Sequence, residues 1–135
     1  MSAEPEHDEP APEPPGHLFE RLRADPLRAP EHIALAAASN HAPAAARWAE
    51  RRRRVFGTRP KVLAEMARRR HATLASVEGA ATGVGGIVTL IPDLVGLAWI
   101  QSRMVFFIAA AHGYDPHDRM RPAELLVIHG LYDDV

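Results

Sequence analysis

Residues 79–113 read GAATGVGGIVTLIPDLVGLAWIQSRMVFFIAAAHG: a glycine-rich apolar run, a break at Pro92-Asp93, then a second apolar run with Gln101, Ser102 and Arg103 at its centre. No other stretch constrains the fold as much. A charge in the middle of an apolar helix is costly unless it is paired or hydrated. The stretch is therefore either the core of a helical domain or a membrane-contacting hairpin. Its first arm, Ala80 to Ile91, is too short to cross a bilayer. Its second arm, 94–112, nearly suffices for a ~30 Å hydrocarbon core, but a central arginine costs about 2.5–3.5 kcal/mol on insertion. A two-span hairpin is disfavoured, and a close-packed helical hairpin that can touch lipid is the expected form.

Glycine supports that form. Gly79, Gly83, Gly85 and Gly86 would each cost about 1 kcal/mol in a helix relative to alanine. A helix that tolerates them needs a neighbour's backbone close by, and Gly79 and Gly83 have the small-xxx-small spacing that allows it. These four are the expected helix-packing residues.

The chain has 135 residues, room for one domain. Residues 1–16 carry Glu4, Glu6, Asp8, Glu9 and Glu13 with Pro5, Pro10, Pro12, Pro14 and Pro15, and have no apolar pattern to bury. They read as a disordered acidic tail without the features of a secretory signal. Residues 1–29 are expected to be tail and linker, and 30–135 a small helical bundle. The net charge of -1 hides a strong asymmetry. Residues 47–70 hold Arg47, Arg51 to Arg54, Arg59, Lys61 and Arg68 to Arg70 against only Glu50 and Glu65.

Proline marks the helix starts. Residues 17–29 predict at most a turn or two of helix around Leu18, Phe19 and Leu22. Pro30 opens a helix to about Ser39, with a break at Asn40 and before Pro43. Helices of about 43–56 and 61–77 follow, with Gly57 just past the first. The next runs from about Pro92 to His112, with Gly113 as its left-handed C′ residue. Leu94, Leu97, Ala98, Gln101, Met104/Val105, Ile108 and Ala111 form one face, and Trp99, Phe106 and Phe107 lie on other sides, so the helix is apolar nearly all round. Pro122 opens a last helix to Ile128. The fold class is all-α.

These residues carry a family resemblance. The run HATLASVEGAATGVGG (71–86), Pro92-Asp93-Leu94, WIQSRM (99–104) and HGYDP (112–116), in that order, resemble the EcsC family, bacterial proteins first noted beside an ABC-transporter system. The resemblance implies an all-helical, membrane-associated protein linked to transport or membrane processes, and it implies no enzymatic reaction. The family continues with further helices past the Gly-Tyr-Asp-Pro turn. This chain ends about twenty residues after that turn, so its domain is expected to be incomplete at the C-terminus.

Candidate site residues are few. Asp93, Gln101 and Arg103 are the conspicuous polar residues of the hairpin. Asp93 fits a helix N-terminus, and Gln101 with Arg103 fits either internal hydrogen bonding or a polar ligand site. Asp93 and Arg103 cannot pair, being separated by roughly 15 Å of helical rise. Arg51, Arg52, Arg53, Arg54, Arg68, Arg69 and Arg70 suit an anionic membrane surface, a solvated face being the alternative. No DNA-binding motif accompanies them, and no nucleic-acid partner is expected. His112, Asp115, His117 and Asp118 cluster at one turn, but their spacing matches no metal motif. TGVGG (82–86) lacks the lysine of a phosphate loop, and no nucleophile signature is present. No cofactor or metal is expected.

The expected function is that of a non-enzymatic protein, cytoplasmic and peripheral to the inner face of the cell membrane, with an anionic membrane surface or a membrane protein as partner. A soluble helical interaction module and an enzyme with an unrecognised polar site are the alternatives. Homo-oligomerisation is left open.

Overall fold

The computed structural model describes residues 13–57, 59–82 and 90–133, and of 75–82 and 90–93 the backbone alone. Among the described residues there are helices and no strand: α1 (Gly16–Ala24), a 3₁₀ turn (Pro26–Arg28), α2 (Ala29–Phe56), α3 (Pro60–Thr82), α4 (Leu90–Ala111) and α5 (Arg121–Ile128). The all-α expectation holds. The acidic tail falls largely outside the described residues, as do Gly83, Gly85 and Gly86, while Gly79 lies on α3.

The expected break near Asn40 does not occur. α2 is one helix of 28 residues with Pro43 inside it. Proline in a helix interior costs about 3 kcal/mol through a lost hydrogen bond and ring crowding. Packing outweighs that cost here. Ala34, Ala37, His41, Ala45 and Trp48 are buried at three- and four-residue steps on both sides of Pro43, and a break would detach half of this stripe. Ser39 and Asn40 donate back to their own helix, at the carbonyls of Leu35 (3.2 Å) and Ala36 (2.8 Å). Residues that read as helix breakers thus sit on its exposed side.

The stripe on α2 is mostly alanine, so α4 can come close and supply the volume. Trp99, Phe106 and Phe107 of α4 are buried with Trp48. His41 meets Trp99 (ring centroids 4.3 Å apart) and Trp48 meets Phe107 (5.2 Å). The two helices therefore run in the same direction. α3 runs the opposite way along α4. His71 packs edge-on against Phe107 at 4.9 Å, while Val62, near the start of α3, shares a surface depression with His112, just past the end of α4. Of the expected 79–113 hairpin, the second arm is α4; the first arm, 80–91, falls across the end of α3 and the start of α4, and its residues 83–89 lie outside the described residues.

Of the face drawn through Leu94, Leu97, Ala98, Gln101, Met104/Val105, Ile108 and Ala111, Ala111 alone is buried. Leu94, Leu97 and Gln101 are exposed, whereas Val95, Trp99, Ile100, Ser102, Arg103, Phe106 and Phe107 are buried. A helix apolar all round carries little phase information, and the large aromatic side chains decide which side turns inward. α4 is already helical at Leu90, ahead of Pro92.

The packed unit begins earlier than residue 30. Leu18 of α1 is fully buried in the core, and Asp25, which ends α1, meets His32 of α2 at 3.3 Å. At its far end α4 closes as expected. Gly113 has φ 86°, with Gly113 N–H donating to Ala110 (3.0 Å) and Tyr114 N–H to Ala109 (3.0 Å), a Schellman arrangement. In the following loop Asp115 and Asp118 accept from the backbone N–H groups of His117 and Met120, each at 2.9 Å. α5 then lies antiparallel along the first half of α2, burying Leu125.

Candidate functional site

Among the described residues, polar and charged side chains bearing on function gather in a cluster inside the core and on the outward faces of α2 and α3. The core cluster consists of His41 (α2), His71 (α3) and Arg103 (α4), which are 0%, 1% and 5% exposed. Each lies on the buried side of its helix, so three separate elements bring it together. Arg103 Nη1 is 3.5 Å from His41 Nδ1, at the outer limit of a hydrogen bond. The guanidinium carbon stands 4.7 Å from the centre of the Phe107 ring, a cation–π contact strengthened by the surrounding dry core. His71 Nδ1 donates to the Ala67 carbonyl at 2.7 Å, which leaves its buried Nε2 with no hydrogen-bond partner among the described residues.

Burial keeps both imidazoles neutral. It pushes His41 down to about 3, helped by the Arg103 guanidinium and by the proximity of His71 and opposed by the Trp99 backbone. It pushes His71 down to about 4, against the favourable Ala67 carbonyl and with Arg103 and Arg70 adding to the shift. Neutral imidazole is the form that tolerates a neighbouring guanidinium. The arrangement can hold one positive charge in an aromatic cage. A substrate would have to displace the core to reach it.

Arg103 is therefore a core residue, and the structure separates it from Gln101. Gln101 is exposed and lines an apolar groove of about 290 Å³ between α2, α4 and α5, beside Ile33, Ala98, Leu125, Leu126 and Leu131. The side chain of Asp93 lies outside the described residues. Sequence reasoning missed His41 and His71 as partners of Arg103. The signal was their register. His41 continues the Ala34, Ala37, Ala45, Trp48 stripe, and His71 follows Leu63 and Ala67 at four-residue steps.

The seven arginines expected to face a membrane divide into groups. Arg51 and Arg54 are exposed near the end of α2, and Arg54 pairs with Glu50 at 2.7 Å. Arg52 leans over the Phe56 ring at 6.0 Å. Arg53 differs: its guanidinium donates to the Ala110 carbonyl at the end of α4. There it satisfies a terminal carbonyl and sits at the negative end of the helix dipole, so its role is internal. Arg68 and Arg69 both clasp Glu65, at 2.6 and 2.9 Å, and hold its carboxyl down at about 2. Arg52, Arg69 and Arg70 rim a groove of about 360 Å³ between α2 and α3, whose walls include Trp48, Met66, Thr73 and Leu74.

α4 also has the length and composition to cross a membrane over Leu94–Ala111, yet 56% of that window is buried inside the protein, as in the central helix of a packed bundle.

Comparison with known proteins agrees with the resemblance carried by residues 71–116. The model of the EcsC protein family matches residues 38–130, from the middle of α2 through α5. Uncharacterized protein YdbA of Bacillus subtilis (strain 168) is 37% identical over 57 residues, which cover 42% of this chain and 21% of that protein. The matched part of the chain thus spans about a fifth of the length of that relative. No solved structure matches the chain. With a family match running over more than half of its length, the chain belongs to the EcsC protein family.

Proposed function

We propose that the protein is a non-enzymatic, peripheral membrane protein that attaches to the anionic inner face of the cell membrane through the basic outer faces of α2 and α3. One observation carries this reading. After Arg53 is assigned to the end of α4, exposed cations still crowd one region, with Arg51, Arg54, Arg59 and Lys61 near the α2–α3 turn and Arg68 and Arg69 farther along α3. Exposed pairs such as Arg54–Glu50 contribute little and are easily exchanged for other anions. Each cation held near an anionic surface contributes about 1 kcal/mol, so a handful suffices for reversible attachment.

The test is co-sedimentation with vesicles. Binding is expected to phosphatidylglycerol-containing vesicles at low salt, to weaken as salt rises, and to be absent with phosphatidylcholine alone. Full recovery in the supernatant with anionic vesicles at low salt overturns the reading.

A second reading, a soluble interaction module, draws on the apolar groove beside Gln101. It predicts binding of an apolar helical segment with no dependence on lipid.

A further inference from the structure

We infer that the corner joining α2 to α3 enters the bilayer, placing Val55, Phe56 and Val62 among the lipid chains while the cations around them hold the head groups. The inference rests on the membrane reading above and names the part of the surface that makes the contact.

Exposure is the first support. Val55 is 74% exposed, Phe56 42% and Val62 45%. Val55 and Phe56 are the last two residues of α2, and Val62 lies in the first turn of α3. The short turn between them holds all three at one end of the molecule. Gly57, at φ 68°, ends α2 there, and Leu63 N–H donates to the Arg59 carbonyl at 3.1 Å as α3 begins. Two helices packed into the core thus carry the corner, and Leu63 behind it is fully buried.

Charge is the second support. No acidic residue lies between Glu50 and Glu65 in the sequence. Arg51, Arg54, Arg59 and Lys61 are exposed around the three apolar side chains, and Arg52 lies over the Phe56 ring. His112, just past α4, shares a depression with Val62, whereas Asp118 of the following loop lies beside Ala38, Ala42 and Pro43 in the middle of α2, and the carboxylates of Asp115 and Asp118 accept from that loop's own backbone. An apolar tip within a collar of cations matches the boundary between acyl chains and anionic head groups. It suits nucleic acid less well, since two of the three tip residues are valines with no ring to stack on a base.

The chain has no cysteine, so a single V55C substitution gives a unique place for an environment-sensitive NBD label. L27C provides the control. Leu27 is 93% exposed and precedes α2, so the length of that helix, roughly 40 Å, separates it from Val55. With phosphatidylglycerol vesicles at low salt, the V55C label is expected to brighten and shift to the blue while the L27C label stays unchanged. The pair V55S and F56S is expected to weaken vesicle binding by roughly tenfold without lowering the melting temperature, because both side chains are exposed.

Failures of the two readings are distinguishable. Vesicle binding with a V55C label that remains in water, or with the L27C label responding instead, overturns the corner and leaves the membrane reading standing. Absence of binding overturns both. Unchanged binding by V55S/F56S likewise overturns the corner and leaves the membrane reading standing.

Discussion

Arg103 stands in the most apolar helix of the chain, and its neighbours explain why it is tolerated there. The Phe107 ring lies 4.7 Å from its guanidinium, and both nearby imidazoles are held neutral by burial. This has a consequence in acid. Unfolded histidine titrates near 6.5, whereas His41 and His71 titrate at about 3 and about 4 in the fold. Between those values the unfolded chain binds more protons, so stability is fully present above 6.5 and is lost as the pH falls through this window. Urea midpoints are expected to be constant above that limit and to fall steadily toward pH 4, by on the order of 3 kcal/mol per histidine. His71→Gln removes one titrating group and should flatten the profile. An identical slope in the variant would show that the acid dependence arises elsewhere. Phe107 makes a companion case. It touches Trp48, His71 and Arg103, and Phe107→Ala should cost about 3–5 kcal/mol in chemical denaturation. Phe56→Ala, at an exposed position, should leave the midpoint almost unchanged.

Among the elements, those bounded by backbone chemistry were the legible ones. Proline at the starts of α3 and α5, Gly57 after α2 and Gly113 after α4 mark their ends through local constraints on φ, which need no knowledge of neighbours. Gly113→Ala should therefore destabilise by about 1–2 kcal/mol, because alanine resists the left-handed φ. A Cβ added there would meet no heavy atom within 4 Å, so steric clash would add nothing to the thermal shift. What stayed illegible depended on partners. Pro43 reads as a boundary from either side of the sequence, yet the stripe it interrupts is held by α4. Replacing it with alanine should restore the missing backbone bond and raise stability, by on the order of 1–3 kcal/mol in denaturant unfolding. A loss of stability in Pro43→Ala would mean that the ring's contacts outweigh the hydrogen bond. The facing of α4 was illegible for a related reason. Only the alanines of α2 reveal that the ring of Trp99 turns inward while Leu97 turns outward.

At the scale of the whole molecule, the same interlocking decides how the protein can meet a membrane. Seen alone, the 94–111 segment passes for a span. Within the fold it is the helix to which α2 and α3 both attach, and more than half of it is buried. The sequence showed the cost of Arg103 in lipid but not its partners, since His41 and His71 lie 62 and 32 positions away along the chain. Turning α4 out into a bilayer would strip the Ala34–Trp48 stripe of its cover and separate Arg103 from the aromatic rings and neutral imidazoles around it. The exposed side of α4, with Leu94 and Leu97, gains too little contact with lipid to offset that loss. Attachment should therefore be peripheral. In cells, the membrane-bound fraction should be released by high salt or alkaline carbonate, and the released protein should be monodisperse without detergent and melt cooperatively. The neutralised variant Arg51→Gln/Arg54→Gln should move to the soluble fraction while remaining folded, with only a small fall in melting temperature from loss of the exposed Arg54–Glu50 pair. Retention through carbonate, with release only by detergent, would show that α4 leaves the bundle for lipid and that the buried His–Arg cluster comes apart when it does.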